Sequence, residues 1–167
     1  MDTKDLYKTL LDTRNFEITM FWTRSNYFLI LNSAIAVGLF GTRDYYAKFA
    51  IVFAVAGMLA SLLWFWVCLG GKYWQTRWEQ RLLEFEREYL PELMAFGATP
   101  AQVRADVENG LKFHGEMGWL QRCIYQLALR QKPSVSYSMI RLSMVFFLGW
   151  LVFLVAFFAT GKAPLGG

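Results

Sequence analysis

Residues 49–69, FAIVFAVAGMLASLLWFWVCL, make an unbroken run of about 21 apolar or small residues. At 1.5 Å per residue a helix of ~20 residues covers the ~30 Å of a bilayer's hydrocarbon. Backbone in hydrocarbon must satisfy its own hydrogen bonds, so the run is constrained to be a helix. Its downstream flank, Trp64, Trp66, Lys72, Tyr73 and Trp74, is the mixture of rings and cations that sits at a headgroup boundary.

The composition agrees: 56% hydrophobic and 18% aromatic against 18% charged is too apolar for a soluble domain of 167 residues. A net charge of +4, with cations alternating with acids, gives no stripe for a nucleic acid. Cys68 and Cys123 fall in different environments and form neither a metal spacing nor a disulfide framework. The first apolar stretch starts near Tyr27, behind a segment bearing both charges, so it reads as an uncleaved anchor rather than a signal peptide.

Residues 1–24 place Leu6, Leu10, Leu11, Phe16, Met20 and Phe21 at helical spacing between Asp5, Lys8, Asp12 and Arg14, which predicts an amphipathic cytoplasmic helix on the membrane face that runs directly into the first span. Residues 25–71 form the expected transmembrane hairpin. Its first span, Tyr27 to Phe40, holds only about 14 apolar or small residues and must borrow Phe21 and Trp22. Arg24 and Asn26 then lie at the inner boundary, with Asn32 and Ser33 at membrane depth. These four are the candidate intramembrane polar residues, for packing or for lining a pore. For Asn32 the plainer role is an interhelical hydrogen bond of ~0.6 to 2 kcal/mol. Glu17 and Arg24, seven residues apart, share a helix face and are expected to pair. The turn Gly41-Thr42-Arg43-Asp44 makes the two spans antiparallel neighbours. Ala34, Gly38, Ala50, Ala54, Gly57 and Ser61 permit a close approach between hairpin arms or between copies of the chain.

Residues 72–138 read as a helical cytoplasmic module, into which the second span is expected to continue through a flexible joint at Gly70-Gly71. Trp74, Trp78, Leu82, Phe85 and Tyr89 share one face. Arg77, Arg81 and Arg87, interleaved with Glu84, Glu86, Glu88 and Glu92, read as a solvated or subunit-pairing face. Thr99, Pro100 and Gln102 have the spacing of a capping box opening a helix that ends at Asn109-Gly110. A further helix is expected over Leu111 to Leu129. Residues 139–160 contain the third span, centred on Leu142 to Ala159, and 161–167 a disordered tail. The expected fold class is an all-α membrane protein of three transmembrane helices with a small cytoplasmic module.

Fourteen Lys and Arg residues fall before the first span or between the second and third, against three elsewhere. That asymmetry predicts a cytoplasmic N-terminus and an outer C-terminus. Catalytic chemistry has no visible constellation. His114, the one histidine, has no second histidine or Cys-x-x-Cys to complete a metal site, and Gly-rich phosphate loops are missing. The expectation is therefore no enzyme activity, no cofactor and no metal.

The strings Phe21-Trp22-Thr23-Arg24-Ser25-Asn26-Tyr27-Phe28-Leu29 and Leu31-Asn32-Ser33 are followed by Ser61-Leu62-Leu63-Trp64, Tyr73-Trp74-Gln75-Thr76-Arg77-Trp78-Glu79 and Leu82. Over residues 16 to 90 this pattern resembles small bacterial inner-membrane proteins whose hairpin is similar to the SLATT-type two-helix effectors of antiphage systems. The resemblance implies a homo-oligomer in the lipid bilayer that opens or disturbs it during infection. The alternative is a non-catalytic anchor or adaptor that docks a cytoplasmic protein through residues 72–130. Trp74, Arg77, Trp78, Glu79 and Phe85 are the candidate partner or oligomer surface, and nucleic acid is not expected. A small-solute transporter is disfavoured by the absence of inverted repeats and broken helices.

Overall fold

The computed structural model describes residues 2–41, 47–93, 95–112, 118–120, 123–124 and 134–160. The expected turn at 42–44, His114, most of the expected 111–129 helix and the 161–167 tail lie outside them. Among the described residues the long elements are four α-helices: α1 (Thr3–Gly41), α2 (Ala47–Tyr89), α3 (Pro100–Lys112) and α4 (Val135–Thr160). The chain divides into two compact units. One combines Asn15–Gln75 with Val135–Gly167, the other Met1–Arg14 with Thr76–Ser134.

In the first unit, α2 from Phe49 onward and α4 are long and apolar enough to cross a membrane, by length and composition. The first span runs on from the amphipathic N-terminal segment, as expected, within one 39-residue helix, α1, with no break near Arg24. The side of α1 that faces its neighbours is Phe21, Ser25, Asn32 and Leu39, all buried. Spacings of four and seven keep such residues in one seam, as in coiled coils. Opposite them, α2 runs antiparallel: Ser25 meets Cys68, Asn32 meets Ser61, and Leu39 packs with Ala50 and Ala54. α4 lies along the pair and supplies Trp150, Leu154 and Phe157 to the same apolar cluster. A second cluster gathers Phe21, Trp64 and Cys68 with Phe28, Met139, Ile140, Leu142 and Phe146.

Two sequence expectations are corrected in this unit. Gly70-Gly71 is not a joint, because α2 continues through both residues without interruption. Gly71 instead allows a close approach: a Cβ there would lie 2.7 Å from Cδ2 of Phe21. The third hydrophobic helix begins at Val135, ahead of the expected 139. Its first turn is tied to α2 by a hydrogen bond from Ser136 Oγ to the buried Gln75 Oε1 (2.9 Å) and by Lys72 Nζ over the Tyr137 ring (6.0 Å).

The second unit packs the start of α1 on the end of α2. Tyr7 stacks on Phe85 (5.8 Å between centroids), which meets Tyr89 (4.9 Å), beside a fully buried Leu82. The N-terminal segment expected on the membrane face thus has protein neighbours, because its Tyr7 ring and Arg14 find partners on α2. α3 opens with the predicted capping box. The Thr99 backbone N–H donates to Gln102 Oε1 (2.8 Å), and the Gln102 N–H donates to Thr99 Oγ1 (3.3 Å). α3 does not stop at Asn109-Gly110 but runs to Lys112. One glycine costs a helix only ~1 kcal/mol, too little to end it unaided.

Candidate functional site

In the first unit a polar node joins three helices between the two apolar clusters. The Asn32 side chain on α1 is completely buried. Its Oδ1 accepts from Ser61 Oγ on α2 (2.8 Å) and from Trp150 Nε1 on α4 (3.0 Å), while Nδ2 donates to the Phe28 carbonyl (2.9 Å). An indole N–H can only donate, so the atom facing it must be the amide oxygen, which fixes the orientation of the Asn32 amide. Ser61 Oγ also lies 2.8 Å from the Gly57 carbonyl, and its one proton is shared between the two acceptors. The Trp150 indole reaches the node only because residue 57 is glycine: a Cβ there would lie 2.6 Å from Nε1. In this arrangement Asn32 ties helices together within the protomer and does not face an open surface.

The other three polar candidates on α1 are exposed. Ser25 points into the core, so Arg24 and Asn26 emerge to either side of it, and Ser33 emerges beside Asn32 in the same way. The Ser33 hydroxyl donates to the Leu29 carbonyl (2.9 Å), which leaves its oxygen lone pairs facing outward. Among the described residues neither Arg24 nor Asn26 has a hydrogen-bond or ion-pair partner within the protomer. The expected Glu17–Arg24 pair does not form. Seven residues span ~10 Å of helix axis, beyond the reach of a direct bond between these two side chains. Between the flanks, the back of α1 carries Ile30 (66% exposed) and Val37 (70%). The outer faces of α2 and α4 are apolar, with Val52, Leu59, Leu63 and Trp66 on one and Val145, Val152 and Val155 on the other.

In the second unit the candidate surface residues separate. Trp74, which belongs to the first unit, and Arg77 are exposed, and Trp78 is half-buried. Glu79 pairs with Arg14 Nη2 (3.4 Å), whose guanidinium also lies over the Phe96 ring at 5.4 Å. Phe85, expected on an outward face, is buried between Tyr7 and Tyr89 and offers no ring to a partner.

The same unit holds a carboxylate clamp that the sequence does not single out. Glu86 is 1% exposed. Its Oε1 accepts from the Tyr7 hydroxyl (2.7 Å), and its Oε2 from the backbone N–H groups of Phe96 (2.8 Å) and Gly97 (3.2 Å). Burial, followed by the hydrogen bond to Glu86 and that carboxylate's charge, pushes the Tyr7 phenol up to about 12. Nothing local distinguishes Glu86 from the exposed Glu84, Glu88 and Glu92, because its partners come from positions 7, 96 and 97.

Among the described residues no group of His, Cys, Asp and Glu side chains could hold a metal ion. The family model of the octameric membrane protein family (8xMP) matches residues 4–159. No curated protein and no solved structure matches the chain. The likeness to SLATT-type effectors therefore stands on the motif strings alone. An all-helical chain with two helices of membrane-crossing length, matched over nearly its whole extent, is an oligomeric membrane protein and belongs to the octameric membrane protein family.

Proposed function

We propose that eight copies assemble in the bacterial inner membrane with α1 turned toward the centre of the ring, and that the ring is a gated path through the bilayer. The observation that carries this reading is the contrast between exposed faces. Within Phe49–Leu69 and Leu142–Ala159, α2 and α4 expose only apolar or small side chains suited to lipid, whereas α1 presents Asn26 and Ser33 beside the Ile30–Val37 ridge. Polar groups at membrane depth belong against other protein or against water. Residues 21–41 of α1 run beside both apolar helices, which supports α1 as a third crossing. Rings of Ile30 and Val37 close the path by dewetting it, and Ser33 along their edge wets it when the ring widens. The Lys and Arg distribution puts the N-terminus in the cytoplasm. The SLATT-type resemblance gives this opening its occasion, the response to phage infection.

Dye release from vesicles containing the purified chain tests the proposal. Val37→Ser and Ile30→Ser are expected to raise the basal leak at least tenfold, with Ser33→Ala lowering it. Assembled rings that stay tight in all these variants, whatever the activating condition, would refute it. The adaptor alternative is weakened by the burial of Phe85, though Trp74 remains exposed. Its test is a soluble partner that copurifies in fixed ratio and is lost on Trp74→Ala.

A further inference from the structure

We infer that Arg24 of one copy donates to the side-chain carbonyl of Asn26 in the next copy, and that this bond forms the inner seam of the ring. The inference rests on the reading that α1 turns to the other copies, and is independent of whether the ring conducts.

The geometry starts from Ser25, whose hydroxyl lies against Cys68 Sγ at 3.6 Å and fixes which way this turn of α1 faces. Residues on either side of an inward-facing position emerge ~100° to its left and right, so Arg24 and Asn26 leave α1 on opposite flanks. One turn-pair outward the pattern repeats: Leu31 and Ser33 flank the inward Asn32. α1 therefore has two different flanks, Arg24–Leu31 and Asn26–Ser33, at matching heights. A closed ring of identical subunits with cyclic symmetry needs such a pair, because each subunit must meet its neighbours with two unlike surfaces.

The chemistry of the flanks is complementary. A guanidinium only donates, an amide carbonyl accepts, and both residues are exposed. Residues two apart on a helix do not face each other, so Asn26 cannot serve the Arg24 of its own chain. Acidic partners do not compete: the residues exposed near this height on α2 and α4 are Trp66, Leu69, Gly70, Arg141, Met144 and Val145, none of them acidic. A ring built this way buries one charged donor and one amide at every seam and leaves the apolar faces of α2 and α4 to lipid.

Cysteine cross-linking in membranes, in a Cys123→Ser background that leaves only the buried Cys68, tests the seam. Protomers carrying R24C alone and N26C alone are expected to cross-link when co-expressed and not when expressed singly. The chain carrying both changes is expected to give a ladder rising to the full ring. An intact oligomer without mixed cross-links overturns the seam, as do N26C–N26C links, which would put two like flanks together. Should cysteine disturb assembly, the swapped chain R24N/N26R gives a second reading. Oligomer lost in each single change and regained in the double supports the seam; unaffected singles, or no recovery, count against it and leave Arg24 to lipid phosphate. Vesicles that stay tight while the cross-links form refute the pore and keep the seam, and leaky rings without cross-links do the reverse.

Discussion

The indole N–H of Trp150 donates to the Asn32 side-chain carbonyl across 3.0 Å, joining residues 118 positions apart in the chain. The bond sits where α1, α2 and α4 meet, with Ser61 donating to the same oxygen. Replacing Asn32 by Leu strands the Trp150 N–H, while Ser61 keeps the Gly57 carbonyl as its acceptor, and an orphaned buried polar group costs ~1–3 kcal/mol. Asn32→Leu is expected to destabilise by that amount in a thermal or denaturant titration in detergent. Trp150→Phe in the same background should add less than it does alone, with a coupling of ~0.5–2 kcal/mol in the double-mutant cycle. Additive losses would mean that the bond contributes nothing.

Gly57→Ala tests the space at the same node. With the alanine methyl overlapping the indole, Trp150 must move and its bond to Asn32 must lengthen. Overpacking of this kind costs ~1–3 kcal/mol. The expected result is a lower melting temperature with altered tryptophan fluorescence, partly restored when Trp150→Leu removes the ring. Gly41→Ala, where a Cβ meets nothing, is the control and should leave both unchanged.

Tyr7 gives a pH dependence with a defined sign. Its folded pKa, pushed up to about 12, lies above the usual 10.0. The unfolded chain therefore loses this proton first. The stabilisation is complete below pH 10 and is lost as the pH rises through 10 to 12. Tyrosinate absorbance should include a component titrating near pH 12, and Tyr7→Phe should remove it. At neutral pH the same change withdraws a donor from buried Glu86, at ~1–3 kcal/mol. Glu86→Leu should cost more than Glu86→Gln, because it strands the N–H groups of Phe96 and Gly97 as well as the Tyr7 hydroxyl.

The capping box at Thr99 is local and should behave so. Thr99→Ala is expected to cost ~0.5–2 kcal/mol and to raise hydrogen exchange in the first turn of α3. Protection at the Asn32 node should be unaffected.

Much of the architecture is legible in the residues. The run from Phe49 to Leu69, the capping box at Thr99 and the apolar Leu142–Ala159 stretch each announce a helix through local composition or local hydrogen bonding. Where the expectations fail, the missing information is long-range. Gly70-Gly71 resembles a joint because glycine is permissive, yet the helix continues through both, and Gly71 serves the close approach of Phe21. Phe85 resembles a docking residue because it lies on an aromatic face, yet Tyr7, far away in sequence, already covers it.

The sequence by itself determines that this chain is helical and belongs in a membrane, because hydropathy and caps act within a few turns of backbone. It also singles out Arg24, Asn26, Asn32 and Ser33 as the polar candidates on the first hydrophobic segment. Only the tertiary structure decides which of them are already satisfied. Partners for a buried amide come from whichever helices pack beside it, and a one-residue step along α1 turns a side chain by ~100°, from the core at Asn32 to the surface at Ser33.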